Sequence, residues 1–180
     1  MKRYFTILAF LILAFTAQYA MAQTKISPAK TAQYVQSCLK NSEADTTTSP
    51  STKNIFCQCT GQFMQRNLTM EDLKAMGGKG QSGRNAMNKM VTGVYAPCME
   101  FPVRDMIQKQ CMTDVKQPPV CQCLSKNMAA YTAKSAQTTL TQVLAKTPNA
   151  FDPMGAIIDS PEFQAQQKQI TMQCLTGKLK

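Results

Sequence analysis

"NIFCQCTGQFMQRN" (residues 54–67) and "PPVCQCLSKNMAAY" (residues 118–131) share a Cys-Gln-Cys triplet, and the reading of that triplet decides the fold. On an α-helix, residues two apart lie about 200° around the axis from one another. Cys57 and Cys59 therefore face different neighbours, as do Cys121 and Cys123. Neither pair closes on itself, because a disulfide wants Cβ atoms roughly 3.5–4.5 Å apart. Each triplet reads instead as a double staple, one sulfur for the helix before it and one for the helix after it.

The other cysteines fit this reading. Cys38, Cys57, Cys59 and Cys98 match Cys111, Cys121, Cys123 and Cys174 in order, with Gln58 against Gln122, Leu39 against Met112 and Met99 against Leu175. The intervals differ, 18 against 9 residues before the triplet and 38 against 50 after it, so the repeat is loose. The pattern predicts an all-α protein of six to eight helices, built as two related disulfide-stapled bundles from an internal duplication, residues 23–102 and 103–180. Eight cysteines allow on the order of a hundred pairings. Staples between sequential antiparallel helices leave four of them, two choices in each half.

Cysteine is read as disulfide because of the compartment. Lys2 and Arg3 precede an apolar run from Tyr4 to Phe15, and Ala20-Met21-Ala22 offers small residues where a signal peptidase reads them. Residues 1–22 are expected to be a secretory leader, with Gln23 first in the mature chain. The run is shorter than the roughly 20 apolar residues of a membrane span, so no stable membrane insertion is expected after cleavage. The short basic leader points to a bacterial periplasm, or to secretion. Asn67-Leu68-Thr69 would accept a glycan only in a eukaryotic secretory route. An even cysteine count in an oxidising compartment favours a disulfide framework, and halves of 80 residues or fewer without tryptophan need such staples.

Helix signals recur along the mature chain. Ser27-Pro28 and Ser160-Pro161 pair an N-cap with proline at the first helical position. Tyr34, Val35, Cys38 and Leu39 follow at helical spacing, then Phe56, Cys59, Phe63 and Met64 beyond a polar stretch, "NSEADTTTSPSTKN". Thr69 and Asp72 suggest a capping box, and Gly77-Gly78 a stop. Met87, Met90, Val91, Val94, Tyr95 and Cys98 form the best stripe, ended by Pro102. The second half offers Val103, Met106, Ile107 and Cys111, then Val120, Leu124, Met128 and Tyr131, then a separate helix with Leu140, Val143 and Leu144. The loop "KTPNAFDPMG" and a last helix ending at Gly177 complete it.

Catalysis is poorly served. The chain has no histidine, hence no Ser-His-Asp or Cys-His machinery, and its ten carboxylates single out no acid–base pair. Eleven mature methionines invite a soft-metal reading, with copper held by the triplets, but they fall at core spacing where methionine fills gaps. A redox dithiol lacks any sign of a lowered thiol pKa. Thiol-redox or copper handling stands as the alternative to a structural role for all eight cysteines. "GGKGQSGRN" (residues 77–85) has Gly78 and Gly83 at Walker spacing, yet Arg84-Asn85 replace Lys-Ser/Thr and no strand precedes.

Without the leader the chain keeps 18 basic residues (20 minus Lys2 and Arg3) against 10 acidic, a net charge near +8. That balance suits an acidic protein partner. Lys74, Lys79, Arg84 and Lys89 around the glycine-rich connector are the candidate partner-binding residues, because loops on a rigid scaffold gather binding groups. The expected function is a non-enzymatic, exported binding protein, such as an inhibitor or immunity protein or an envelope accessory, with no cofactor, no metal and no nucleic acid.

Overall fold

A computed structural model describes residues 24–147 and 152–179. The expected leader and its cleavage site, and part of the "KTPNAFDPMG" loop, lie outside the described residues. Among those described are eight α-helices: α1 (Pro28–Ser42), α2 (Pro50–Asn67), α3 (Met70–Met76), α4 (Gln81–Met90), α5 (Glu100–Asp114), α6 (Pro118–Lys146), α7 (Pro153–Ile158) and α8 (Pro161–Leu175). A π turn (Val91–Tyr95) and a 3-10 turn (Ala96–Cys98) join α4 to α5. The one β feature among the described residues is an isolated bridge between Lys25 and Thr69.

Caps set the helix starts. Ser27, Ser49 and Ser160 accept hydrogen bonds from the backbone N–H groups of Lys30, Thr52 and Phe163. Each satisfies an orphan donor worth about 1 kcal/mol. Thr69 and Asp72 form a reciprocal capping box. Proline opens α1, α2, α6, α7 and α8, where its missing N–H costs nothing. Lys116 ends α5 with a left-handed φ of 56°, and its N–H donates to the Cys111 carbonyl.

The four disulfides are Cys38–Cys57, Cys59–Cys98, Cys111–Cys121 and Cys123–Cys174, and no cysteine is free. Of the two choices open in each half, both halves take the sequential one, so the four closed loops neither nest nor cross. Each triplet ties its helix backward with the first sulfur and forward with the second.

Three sequence expectations change. The stripe through Cys98 is not one helix, and Pro102 does not end it. Proline at position 97 sits in the 3-10 turn, while Pro102 lies in the first turn of α5, where no intrahelical bond is lost. The separate helix expected at Leu140 is the continuation of α6, a single 29-residue rod. Small buried residues, Ala129, Thr132 and Ala136, carry its inner face through the middle. On α2 the most buried face is Cys57, Thr60, Gly61 and Met64, with Phe56 and Phe63 only half-buried. Helix α1 comes so close there that a Cβ on Gly61 would stand 2.6 Å from Val35 Cγ2.

Two apolar clusters result. Ile26, Met64, Leu68, Met90 and Val94 form the smaller one, within the first half. The larger takes Val91, Ala96 and Met99 from one side of Pro102 and Val103, Ile107, Leu124, Met128, Leu140 and Phe163 from the other. Tyr95 packs against both. Met128 is completely buried, which is worth about 1.5–3 kcal/mol relative to exposure.

Candidate functional site

Helices α3 and α4 pack as a short hairpin around the glycine-rich connector. Gly80 has φ +98°, a conformation open to glycine, and a Cβ on Gly83 would collide with the Gly78 carbonyl oxygen. The glycines therefore serve the turn itself. No strand leads into it, so the resemblance to a phosphate loop ends at spacing.

Lys74, Lys79, Arg84 and Lys89 are all exposed on this hairpin. They differ in what holds them. Lys89 donates to the Asp72 carboxylate at 2.6 Å, pinning α4 to the cap of α3. The Arg84 guanidinium donates to Gln81 Oε1 at 2.9 Å. Among the described residues Lys74, Lys79 and Arg84 have no carboxylate partner. The two carboxylates of α3 are engaged: Asp72 by Thr69 and Lys89, Glu71 by the Thr24 N–H at 3.1 Å. Backbone and side-chain hydrogen bonds hold the Glu71 carboxyl below its usual value. The hairpin thus presents uncompensated positive charge on a turn fixed by its own glycines and one ion pair.

A second feature was not legible in sequence. An open groove of about 600 Å³ runs between α1, the 45–48 loop, α2, the Tyr95–Pro102 segment and Asp152–Met154. Its apolar lining includes Tyr34, Phe56, Tyr95, Met99 and Met154. Phe56 and Tyr95 stack with centroids 6.2 Å apart and planes 17° apart. Burial, reinforced by Tyr95, pushes the Tyr34 phenol upward, so it stays neutral at any physiological pH.

The rim carries two carboxylates. Asp45 accepts from the Thr47 N–H at 2.8 Å, the Thr47 hydroxyl at 2.5 Å and the Thr48 hydroxyl at 2.7 Å. Those bonds, with Lys53 nearby, lower its pKa from 3.8 to about 2. Asp152 caps α7 through the Gly155 N–H at 2.9 Å. The Lys53 ammonium is turned onto the Asp45 backbone carbonyl. The loop is clasped from across the fold: Asp105 accepts from the Ser49 N–H, and Lys109 donates to the Thr47 carbonyl at 2.9 Å.

A third surface, about 650 Å³, lies between α5 and α8, with Met106, Ile107 and Phe163 on its floor and Met172, 61% exposed, at its edge. Among the described residues no three of His, Cys, Asp and Glu gather as metal ligands, and no helix is long and apolar enough to cross a membrane. With every cysteine in a disulfide, the triplets offer no thiolate in this state. Comparison of the chain with known protein-family models, curated proteins and solved structures finds no match.

Proposed function

We propose that the protein is exported, loses residues 1–22, and acts as an oxidised helical scaffold that binds an acidic protein partner through the α3–α4 hairpin, as an inhibitor, an immunity protein or an envelope accessory would. The observation that carries this reading is the set of three exposed cations, Lys74, Lys79 and Arg84, without carboxylate partners among the described residues. Exposed like charges within a Debye length, about 8 Å at physiological salt, reinforce one another toward an acidic surface and speed encounter. A disulfide-braced frame lowers the ordering cost of binding. The two halves are read as products of one duplication, a reading supported by their shared cysteine order and their shared sequential pairing. The hairpin is then where the first half has acquired chemistry of its own, since the second half has no glycine-rich counterpart.

Charge reversal tests the reading. Mature protein and the Lys79→Glu/Arg84→Glu variant are used to capture partners from periplasmic extract, and association with the captured partner is timed at two salt concentrations. The expected result is an intact fold, an on-rate reduced about tenfold or more, and a weaker salt dependence. Equal association of both proteins at both salt concentrations refutes the hairpin as the interface.

A further inference from the structure

The groove between α1, α2 and the Asp152–Met154 segment is a different surface from the hairpin, and its chemistry is of opposite sign. In a chain of net charge +10, near +8 without residues 1–22, it sets the Asp45 and Asp152 carboxylates beside aromatic residues. We propose that this groove binds a small organic cation, an ammonium or guanidinium head on an apolar body. Three half-buried aromatic side chains, Tyr34, Phe56 and Tyr95, line it, and aromatic rings attract a cation through their quadrupoles. Both carboxylates add Coulombic attraction. Lys53, the one cation in the lining, has its ammonium on the Asp45 carbonyl oxygen and offsets part of that attraction, but two carboxylates against one ammonium still leave the rim net negative.

Size favours a free small molecule over a protein segment. About 600 Å³ falls within the range of small-ligand sites, roughly 300–1,000 Å³. Five separate stretches of chain line the groove. Several of these stretches are fixed: α1 and α2 by Cys38–Cys57, the 45–48 loop by Asp105 and Lys109, and α7 by its Asp152 cap. The site is therefore formed before the ligand arrives, and little affinity is lost to ordering. Since it uses other elements than the hairpin, this site and the protein-partner reading fail separately.

The chain supplies its own reporter. It has no tryptophan and five tyrosines, two of them, Tyr4 and Tyr19, in the leader. Of the three left in the mature protein, Tyr34 and Tyr95 line the groove while Tyr131 packs with Phe163 in the second half. Tyrosine-ring NMR signals of the full mature protein would be followed during titration with benzyltrimethylammonium, benzyl alcohol and benzoate, which put a positive, zero or negative charge on one aromatic body. The expected result is saturable movement of Tyr34 and Tyr95 but not Tyr131, with the cation binding roughly two- to thirty-fold tighter than the alcohol and benzoate weakest. Asp152→Asn keeps an oxygen for the Gly155 N–H, and it should weaken the cation while leaving the alcohol unchanged. The proposal is overturned if alcohol and cation bind alike, if no ligand moves Tyr34 and Tyr95, or if Asp152→Asn has no effect. Movement of the same rings by a lysine-rich peptide but not by benzyltrimethylammonium also overturns it, in favour of a protein segment.

Discussion

Replacing each disulfide in turn by a pair of alanines should destabilise the protein in a set order, because the four loops are independent. Cys123–Cys174, Cys59–Cys98, Cys38–Cys57 and Cys111–Cys121 close sequence separations of 51, 39, 19 and 10 residues. No loop lies within another, so removing one bridge leaves the unfolded-state constraint of the others intact. The chain-entropy relation then gives losses of about 4.1, 3.9, 3.2 and 2.7 kcal/mol in that order. Packing barely disturbs the comparison between the two second-half bridges, since all four of their cysteines are buried. The decisive quantity is the gap of about 1.4 kcal/mol between the longest and shortest loops. Urea unfolding of the oxidised double variants, analysed by linear extrapolation, resolves a difference of that size when the slopes agree. If loss of Cys111–Cys121 costs as much as loss of Cys123–Cys174, the entropic reasoning is wrong and local strain or packing dominates.

Two further outcomes follow from local geometry. The Asp45 carboxyl is lowered from 3.8 to about 2 in the folded state, so the stability it contributes is present above about pH 4 and is lost as pH falls toward 2. Asp45→Asn should lower stability near neutrality and flatten that part of the acid-unfolding curve, the two proteins converging as pH falls toward 2; an unchanged slope between pH 4 and 2 would show that the threonine bonds do not persist in solution. Lys116 holds a left-handed φ of 56° at the end of α5, a position glycine occupies without steric cost. Lys116→Gly should therefore raise stability by up to about 1 kcal/mol and Lys116→Val lower it, both read from thermal midpoints; a glycine variant that melts earlier contradicts the cap.

Helical character was legible because it is local. Ser27-Pro28, Ser160-Pro161 and the Thr69–Asp72 box announce their helices within four residues of sequence, and each cap is present. The double-staple reading of the triplets was also local, resting on the angle between positions two apart. What it left open was which sulfur points backward, since that depends on how α1 and α2 rotate against each other at Gly61. The Ser49-Pro50 start of α2 carried the same signal as the other caps but was hidden among threonines and serines that read as loop. The middle of α6 was missed for the opposite reason: Ala129, Thr132 and Ala136 make a buried face too small to register as an apolar stripe. The π turn at Val91–Tyr95, where the Asn67 amide donates to the Gly93 carbonyl at 2.5 Å, has no sequence mark at all. The candidate hairpin was found because its charges and glycines are contiguous. The aromatic groove was not, because Tyr34, Phe56, Tyr95 and Asp152 meet only after four helices have packed.

The central claim, an exported scaffold whose eight cysteines are all structural, is tested most directly by the intact mass of the protein recovered from the periplasmic fraction of a bacterial host and denatured with an alkylating agent present, without reductant. The account predicts a single species beginning at Gln23, lighter than the reduced chain by the eight hydrogens of four disulfides and carrying no alkyl group. A species that retains residues 1–22, or that takes up alkyl groups in pairs, would contradict it.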